Sequence, residues 1–190
     1  MLRLRRLLVV CCALLAFAMP CAPVSATAQA GETWLLVDTT NKTLSVMDGD
    51  RVRRRYGNIS VGRAGTTPDK RMNDDKTPLG EFHIARIAGD SAFHRFFGFD
   101  YPSLEQAGRA LQAGDIDGRQ FLSIRQALRQ KKMPPQRTAL GGHIGIHGIG
   151  AGDPRIHEDF NWTSGCIALT NDQIDDLAAW VRLGMRVVVR

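Results

Sequence analysis

Gly142-His143-Ile144-Gly145-Ile146-His147-Gly148 and, downstream, Asn161-Trp162-Thr163-Ser164-Gly165-Cys166-Ile167-Ala168-Leu169 are the stretches on which the reading of this chain turns. In a strand, alternate side chains share a face. Ile144 and Ile146 are therefore expected in a core, with His143, Gly145 and His147 facing the other way. A histidine at a strand end, followed by glycine, reaches into a cleft without crowding. In the second stretch, small and hydroxyl residues precede a thiol and an apolar run follows it. Gly165 permits a sharp bend and a close backbone approach. The N–H groups around such a bend can face a developing oxyanion. A thiol near a histidine can ionise at neutral pH, below the usual thiol value of about 8.5, and the thiolate is the working nucleophile. On this reading Cys166 is the candidate nucleophile and His147 its base. His143 shares the face but lies two strand repeats, roughly 13 Å, away. A metal reading of the histidine pair would need further ligands, for which His157, Glu158 and Asp159 are the candidates.

Working outward, residues 34–62 read as a β-meander. Trp34 to Val37 is a short apolar run, Asn41-Lys42 marks a turn, Leu44 and Val46 alternate with polar neighbours, and Asp48-Gly49-Asp50 is a hairpin signal. Residues 63–80 are rich in Gly, Pro, Asp, Asn and Lys and read as a loop, after which Glu81 to Ile87 alternates as a strand. Leu104 to Leu111, ended by Gly114, and Phe121 to Met133, stopped by Pro134-Pro135, are expected helices. Arg125, Arg129, Lys131 and Lys132 form a solvated face, with contact to substrate carboxylates as the lesser alternative. The span from Ser91 to Pro135 is expected to cover one side of the cleft as loop and helix, with Phe93, Phe96, Phe97, Phe99 and Tyr101 as its anchors. Ile144 to Gly148 is a strand. Residues 171–183 are a helix, capped by Thr170 or Asn171 and ended by Gly184. Met185 to Val189 closes the fold as a strand. Strands, a helical insertion, strands and a helix make a mostly-β or α+β domain rather than an alternating parallel α/β one.

The chain starts like an exported protein. Arg3, Arg5 and Arg6 precede an apolar run from Leu7 to Met19, and Ala28-Gln29-Ala30 fits a small-x-small cleavage site. Residues 1–30 are thus expected to be a signal peptide and residues 31–190 the mature domain, in the periplasm or cell envelope. The run is too short to favour a permanent span. Lipidation at Cys21 competes, although Pro20 stands where acylated cysteines usually have a small residue. Of four cysteines, Cys11, Cys12 and Cys21 lie in the leader, leaving Cys166 alone in an oxidising compartment. The charge of +6 includes the three leader arginines, so the mature value is about +3, too mild to argue for nucleic acid.

His147-Gly148 followed at a distance by Thr163-Ser164-Gly165-Cys166-Ile167 resembles the signature of the L,D-transpeptidase (YkuD-like) catalytic domain, in which an HG pair precedes an [ST]-H-G-C core. Gly62 and Lys76-Thr77-Pro78-Leu79-Gly80-Glu81-Phe82 resemble that family's glycine and T-P-x-G-x-[FY] element. Ser91-Ala92-Phe93, Asp100-Tyr101-Pro102 and Asn161-Trp162-Thr163 look like a branch with a D-W-T-x-G-C-I-A type core. The resemblance covers residues 34–190. Two positions depart from the common core: Ser164 stands in place of histidine and Ala168 in place of arginine.

The resemblance implies a β-rich, sandwich-like domain with a helical insertion that performs two-step acyl transfer on peptidoglycan stem peptides. Cys166 would attack the carbonyl after the third stem residue, and His147 would take the thiol proton and return it to the leaving amine. Backbone at Ser164 and Gly165 would support an oxyanion hole. An amine acceptor would resolve the thioester, with no metal or organic cofactor. The expected protein is a monomer without a stable membrane span or nucleic-acid partner. The rivals are a peptide hydrolase or amidase on the same Cys–His site, in which water resolves the thioester, and an inactive wall-binding module.

Overall fold

The computed structural model describes residues 31–190; the expected leader and its three cysteines lie outside the described residues. Strands β1 (Thr33–Asp38), β2 (Thr43–Asp48) and β3 (Arg51–Gly57) form the expected meander, followed by short β4 (Thr66–Thr67) and β5 (Thr77–Pro78), which pair with each other. Then come β6 (Gly80–Ser91), β7 (His94–Phe99), α1 (Leu104–Ala113), α2 (Gly118–Arg129), β8 (Gly145–His147), α3 (Pro154–Asp159), β9 (Ile167–Ala168), α4 (Asn171–Ala178) and β10 (Arg186–Val189). The main sheet is mixed and eight-stranded, in the order β3-β2-β1-β10-β6-β7-β8-β9.

Alternation explains the inner strands. Leu35 and Val37 of β1, Leu44 and Val46 of β2, and Val187 and Val189 of β10 are buried and belong to one core with Phe82, Ile84, Phe97, Phe99 and Tyr101. Each such side chain contributes about 1.5–3 kcal/mol of transfer free energy. Edge strand β3 carries Arg51, Arg53, Arg54 and Arg55 on its exposed positions and buries only Tyr56. That charge deters edge-to-edge pairing.

Two features shape the sheet around the site. Strand β6 serves both halves: Gly80 to His83 pair with β10, and Ile84 to Ser91 pair with β7 through two register shifts. Bulges of this kind bend a strand and increase its twist. The two ends of the sheet are then tied together, because Ser60, just past β3, exchanges backbone hydrogen bonds with Ala168 of β9 at 3.0 and 2.8 Å. The result is the β-rich domain expected from the sequence.

The helical insertion is present with shifted bounds. α1 starts at a Ser103/Gln106 capping box and stops at left-handed Gly114, and α2 starts at an Asp117/Gln120 box and ends at Arg129. The span from Ser91 to Pro135 is not all loop and helix, however. His94–Phe99 is a full strand whose pattern is masked by consecutive aromatics, and its inward residues Phe97 and Phe99 are core. α4 is shorter than expected: its Thr170/Gln173 capping box holds, but helical structure ends at Ala178 and Gly184 lies in the turn before β10. Helix α3 carries no apolar period and escaped the sequence reading. No helix among the described residues is long and apolar enough to cross a membrane.

Candidate active site

Strand β8 pairs in parallel with β9, with Ile146 opposite Ile167 and His147 opposite Ala168. Ile146 and Ile167 are fully buried in the core. By alternation, Gly145 and His147 share the opposite face with Ala168 and with Cys166, which immediately precedes β9. The ladder thus places two residues distant in sequence on neighbouring strands and one face; continuing its register, Cys166 falls opposite side-chain-free Gly145, and His147 lies diagonal to it. A Cβ at Gly145 would lie 2.3 Å from the Phe97 carbonyl oxygen, so nothing larger fits.

The strand is shorter than expected and this relocates His143. Its backbone is left-handed (φ 57°), outside β8, and its exposed side chain does not share the His147 face as a strand residue would. Its main chain instead reaches the site: the Cys166 thiol donates to the His143 carbonyl oxygen at 3.3 Å.

His147 is 3% exposed. Its Nδ1 lies 2.7 Å from the Gly148 carbonyl oxygen. A carbonyl only accepts, so Nδ1 carries the proton and Nε2 keeps its lone pair. Phe93, at the β6–β7 turn, lies over the ring with centroids 4.4 Å apart, and Trp162 meets it edge-on at 5.7 Å. Phe93 therefore belongs to the site's wall rather than to the core, where Phe97, Phe99 and Tyr101 sit. Burial pushes the His147 pKa down, more than the Gly148 hydrogen bond raises it, and nearby His157 lowers it further. The ring is neutral near pH 7. Gly148 admits the turn above it, because a Cβ there would meet Asn171 Oδ1 at 2.7 Å and the Phe93 carbonyl at 2.8 Å. The Asn171 amide, at the start of α4, bonds both the N–H and the carbonyl of Gly150 at 2.9 Å and pins the loop that follows the histidine.

Cys166 is partly exposed, yet desolvation pushes its thiol up to about 11 despite the opposing Gly145 N–H and Lys70 charge. This reverses the expectation of a thiol titrating below its ordinary range. The resting group is S–H, paired with a carbonyl rather than with an imidazolium.

The turn before the thiol is heavily bonded. Thr163 Oγ1 accepts from the Gly165 N–H at 3.1 Å and donates to the Cys166 carbonyl at 2.7 Å. The Gly165 N–H, expected to face an oxyanion, is thus already committed. Ser164 is exposed, and its carbonyl accepts from Lys70 Nζ at 3.3 Å. Gly165 has φ 132°, and a Cβ would meet the Lys76 carbonyl at 2.7 Å and Lys70 Nζ at 2.9 Å. Glycine is required here on both counts.

His157 on α3 is buried and accepts from Trp162 Nε1 through its Nδ1 at 3.3 Å, while its Nε2 has no partner. It is a neighbour of the site through Trp162, not a free loop histidine. Among the described residues, no three His, Cys, Asp or Glu side chains group closely enough to hold a metal. The helical insertion braces the site from behind: Arg109 of α1 bonds Asp69 at 2.6 Å and the Pro68 carbonyl at 2.8 Å, in the loop that carries Lys70. Lys70, Phe93, Trp162 and Asn171 were not singled out by sequence reasoning as site residues. The one sequence signal for Lys70 is its place in the loop leading into Lys76-Thr77-Pro78.

This fold belongs to a known class. The chain is a member of the L,D-transpeptidase catalytic domain family, YkuD, whose description matches residues 32–189. Among solved structures it is similar to the helical cell shape determining protein Pgp2 from Campylobacter jejuni, at 24% identity and a TM-score of 0.55, covering 85% of this chain and 48% of that one. It is also similar to Bd1075 from Bdellovibrio bacteriovorus, at 19% identity and a TM-score of 0.52, covering 87% of this chain and 50% of that one. The chain spans about half the length of these two structures. No curated protein matches it.

Proposed function

We propose that this protein is a peptidoglycan L,D-transpeptidase, an exported cysteine acyltransferase of the periplasm or cell envelope that works on stem peptides. The observation that carries the reading is the shared face of Cys166 and His147, with the His147 tautomer fixed by Gly148 so that Nε2 is a free base. The resting thiol is neutral, so the first step is a proton transfer coupled to attack. The Cys166 S–H proton passes to His147 Nε2 as sulfur bonds to the stem carbonyl carbon and the carbonyl π pair moves to oxygen. The Cys166 N–H, supported by the Thr163-bonded turn, donates to that oxyanion, with the Ser164 N–H beside it. Collapse breaks the C–N bond, the imidazolium proton goes to the leaving amine, and a thioester remains. An acceptor amine, deprotonated by His147, resolves it.

Two measurements test this. Incubation with a carbapenem followed by intact mass and peptide mapping is expected to place one adduct on Cys166. Purified wall fragments, with and without an added amine, are expected to give amide products with the amine. Acyl adducts with only hydrolysed products would replace the transferase by a hydrolase, and no adduct would leave a wall-binding module.

A further inference from the structure

Lys70 is a lysine that the mechanism above does not use, and its side chain is only 4% exposed. An ammonium leaves water only where charge and hydrogen bonds compensate it. Lys70 Nζ donates to Asp74 Oδ1 at 2.6 Å and to the Ser164 carbonyl at 3.3 Å. Asp74 also accepts from the Arg71 N–H at 2.7 Å and the Lys76 N–H at 3.0 Å, so residues 70–76 are wound around one carboxylate. Burial opposes ionisation of that carboxylate, but these bonds outweigh it and hold its pKa below the ordinary range. The wound loop lies directly under the turn before the thiol: Lys70 Nζ and the Lys76 carbonyl occupy the space where any side chain at residue 165 would be. The other charged pairs around the loop lie outside this knot, Arg109 with Asp69, Arg71 with Asp115 and Arg63 with Asp75.

The adjacent positions that could have carried a charge do not. Ser164 and Ala168 are neutral, and Ala168 is fully buried.

We infer that Lys70 is a positioning residue of this site, whose buried ammonium holds the Ser164 carbonyl, fixes the left-handed Gly165, and supplies from a distant loop the positive charge beneath the Cys166 sulfur. The inference rests on the proposed role of Cys166 as nucleophile. Chemically, the ammonium favours negative charge on sulfur as the proton leaves, and it keeps the turn from rotating its N–H groups away from the oxyanion. The Lys70 contribution to the thiol acts in this direction, against desolvation.

The test reads the thiol without any wall substrate. Alkylation of Cys166 by iodoacetamide, followed by peptide mapping, is measured against pH for the full chain, for Lys70→Met, and for Lys70→Met/Asp74→Asn, which leaves no unpaired buried carboxylate. Circular dichroism reports folding. In folded variants the alkylation midpoint is expected to rise by about one unit, so that alkylation at a fixed pH below it slows about tenfold. Asp74→Asn alone, which unmasks the ammonium, is expected to move the midpoint down, whereas simple loosening of the loop would move both single variants the same way. An unchanged midpoint in a folded Lys70 variant overturns the inference. So does loss of the native fold in both Lys70 variants, which would make Lys70 a folding residue only. Failure of the wild type to form an acyl-enzyme would count against the transferase reading and leave this shift measurable.

Discussion

His147 and Ala168 are opposite each other in the parallel β8–β9 ladder. A methyl group therefore lies beside the candidate base, at the position where the family's common core has an arginine. Without a fixed cation or carboxylate there, burial is the main influence on the protonation of His147.

The pH dependence of acylation follows with a definite sign. Burial depresses the His147 pKa from its ordinary 6.5, so the base is lost only as pH falls through a value below 6.5. The thiol, pushed up to about 11, imposes no requirement for prior ionisation. The rate of carbapenem acylation against pH is expected to rise on an acid limb centred below 6.5 and to stay flat through pH 8. A limb centred near 8–9 would mean that a pre-formed thiolate, not neutral His147, controls the step.

Phe93→Ala removes the ring that lies over His147 at 4.4 Å. Less desolvation means a pKa closer to 6.5, so the acid limb is expected to move upward by a fraction of a unit. Because Phe93 is 43% exposed, the melting temperature is expected to change little. An acid limb that stays put would remove Phe93 from the site.

Cys166→Ser is expected to abolish the acyl-enzyme, since a neutral hydroxyl is a far poorer nucleophile than sulfur. His147→Ala is expected to slow acylation by about 10²–10⁴, the usual worth of a positioned base. His143→Ala is expected to have little effect, because the contact to the thiol is made by its backbone carbonyl, which alanine retains. Intact-mass time courses for the three variants decide this. A large loss in His143→Ala alone would reassign the base.

His157→Ala is expected to matter. It leaves Trp162 Nε1 without its acceptor and opens a buried space, a loss of roughly 1–3 kcal/mol. Since Trp162 meets the His147 ring, acylation is expected to slow as well, with Trp162→Phe reproducing the kinetic effect at smaller cost in stability. Thermal melting and acylation rates of the two variants separate the effects, and a His157→Ala protein equal to wild type in both would falsify the coupling.

Gly165→Ala is expected to destabilise the turn by roughly 1–3 kcal/mol, because φ is 132° and the Cβ would strike the Lys76 carbonyl. Denaturant unfolding measures the loss. A neutral result would show that the loop of residues 70–76 yields easily.

The sequence by itself determined the elements with local causes. The alternating meander, the Gly114 helix stop, the Thr170 cap and the paired motifs around His147 and Cys166 are all set by neighbours within a few residues. The family was legible for the same reason, since a motif is a local pattern. What escaped was set by distant partners. Strand β7 is a strand because β6 and β8 flank it, not because its run of aromatics alternates. His143 left the strand because its backbone turns to meet the thiol. The site's electrostatics were the least legible: burial of Cys166 and His147, and the placement of Lys70 under Gly165, depend on which groups the closed sheet packs together. Desolvation and charge act through space, and only the tertiary structure fixes those distances.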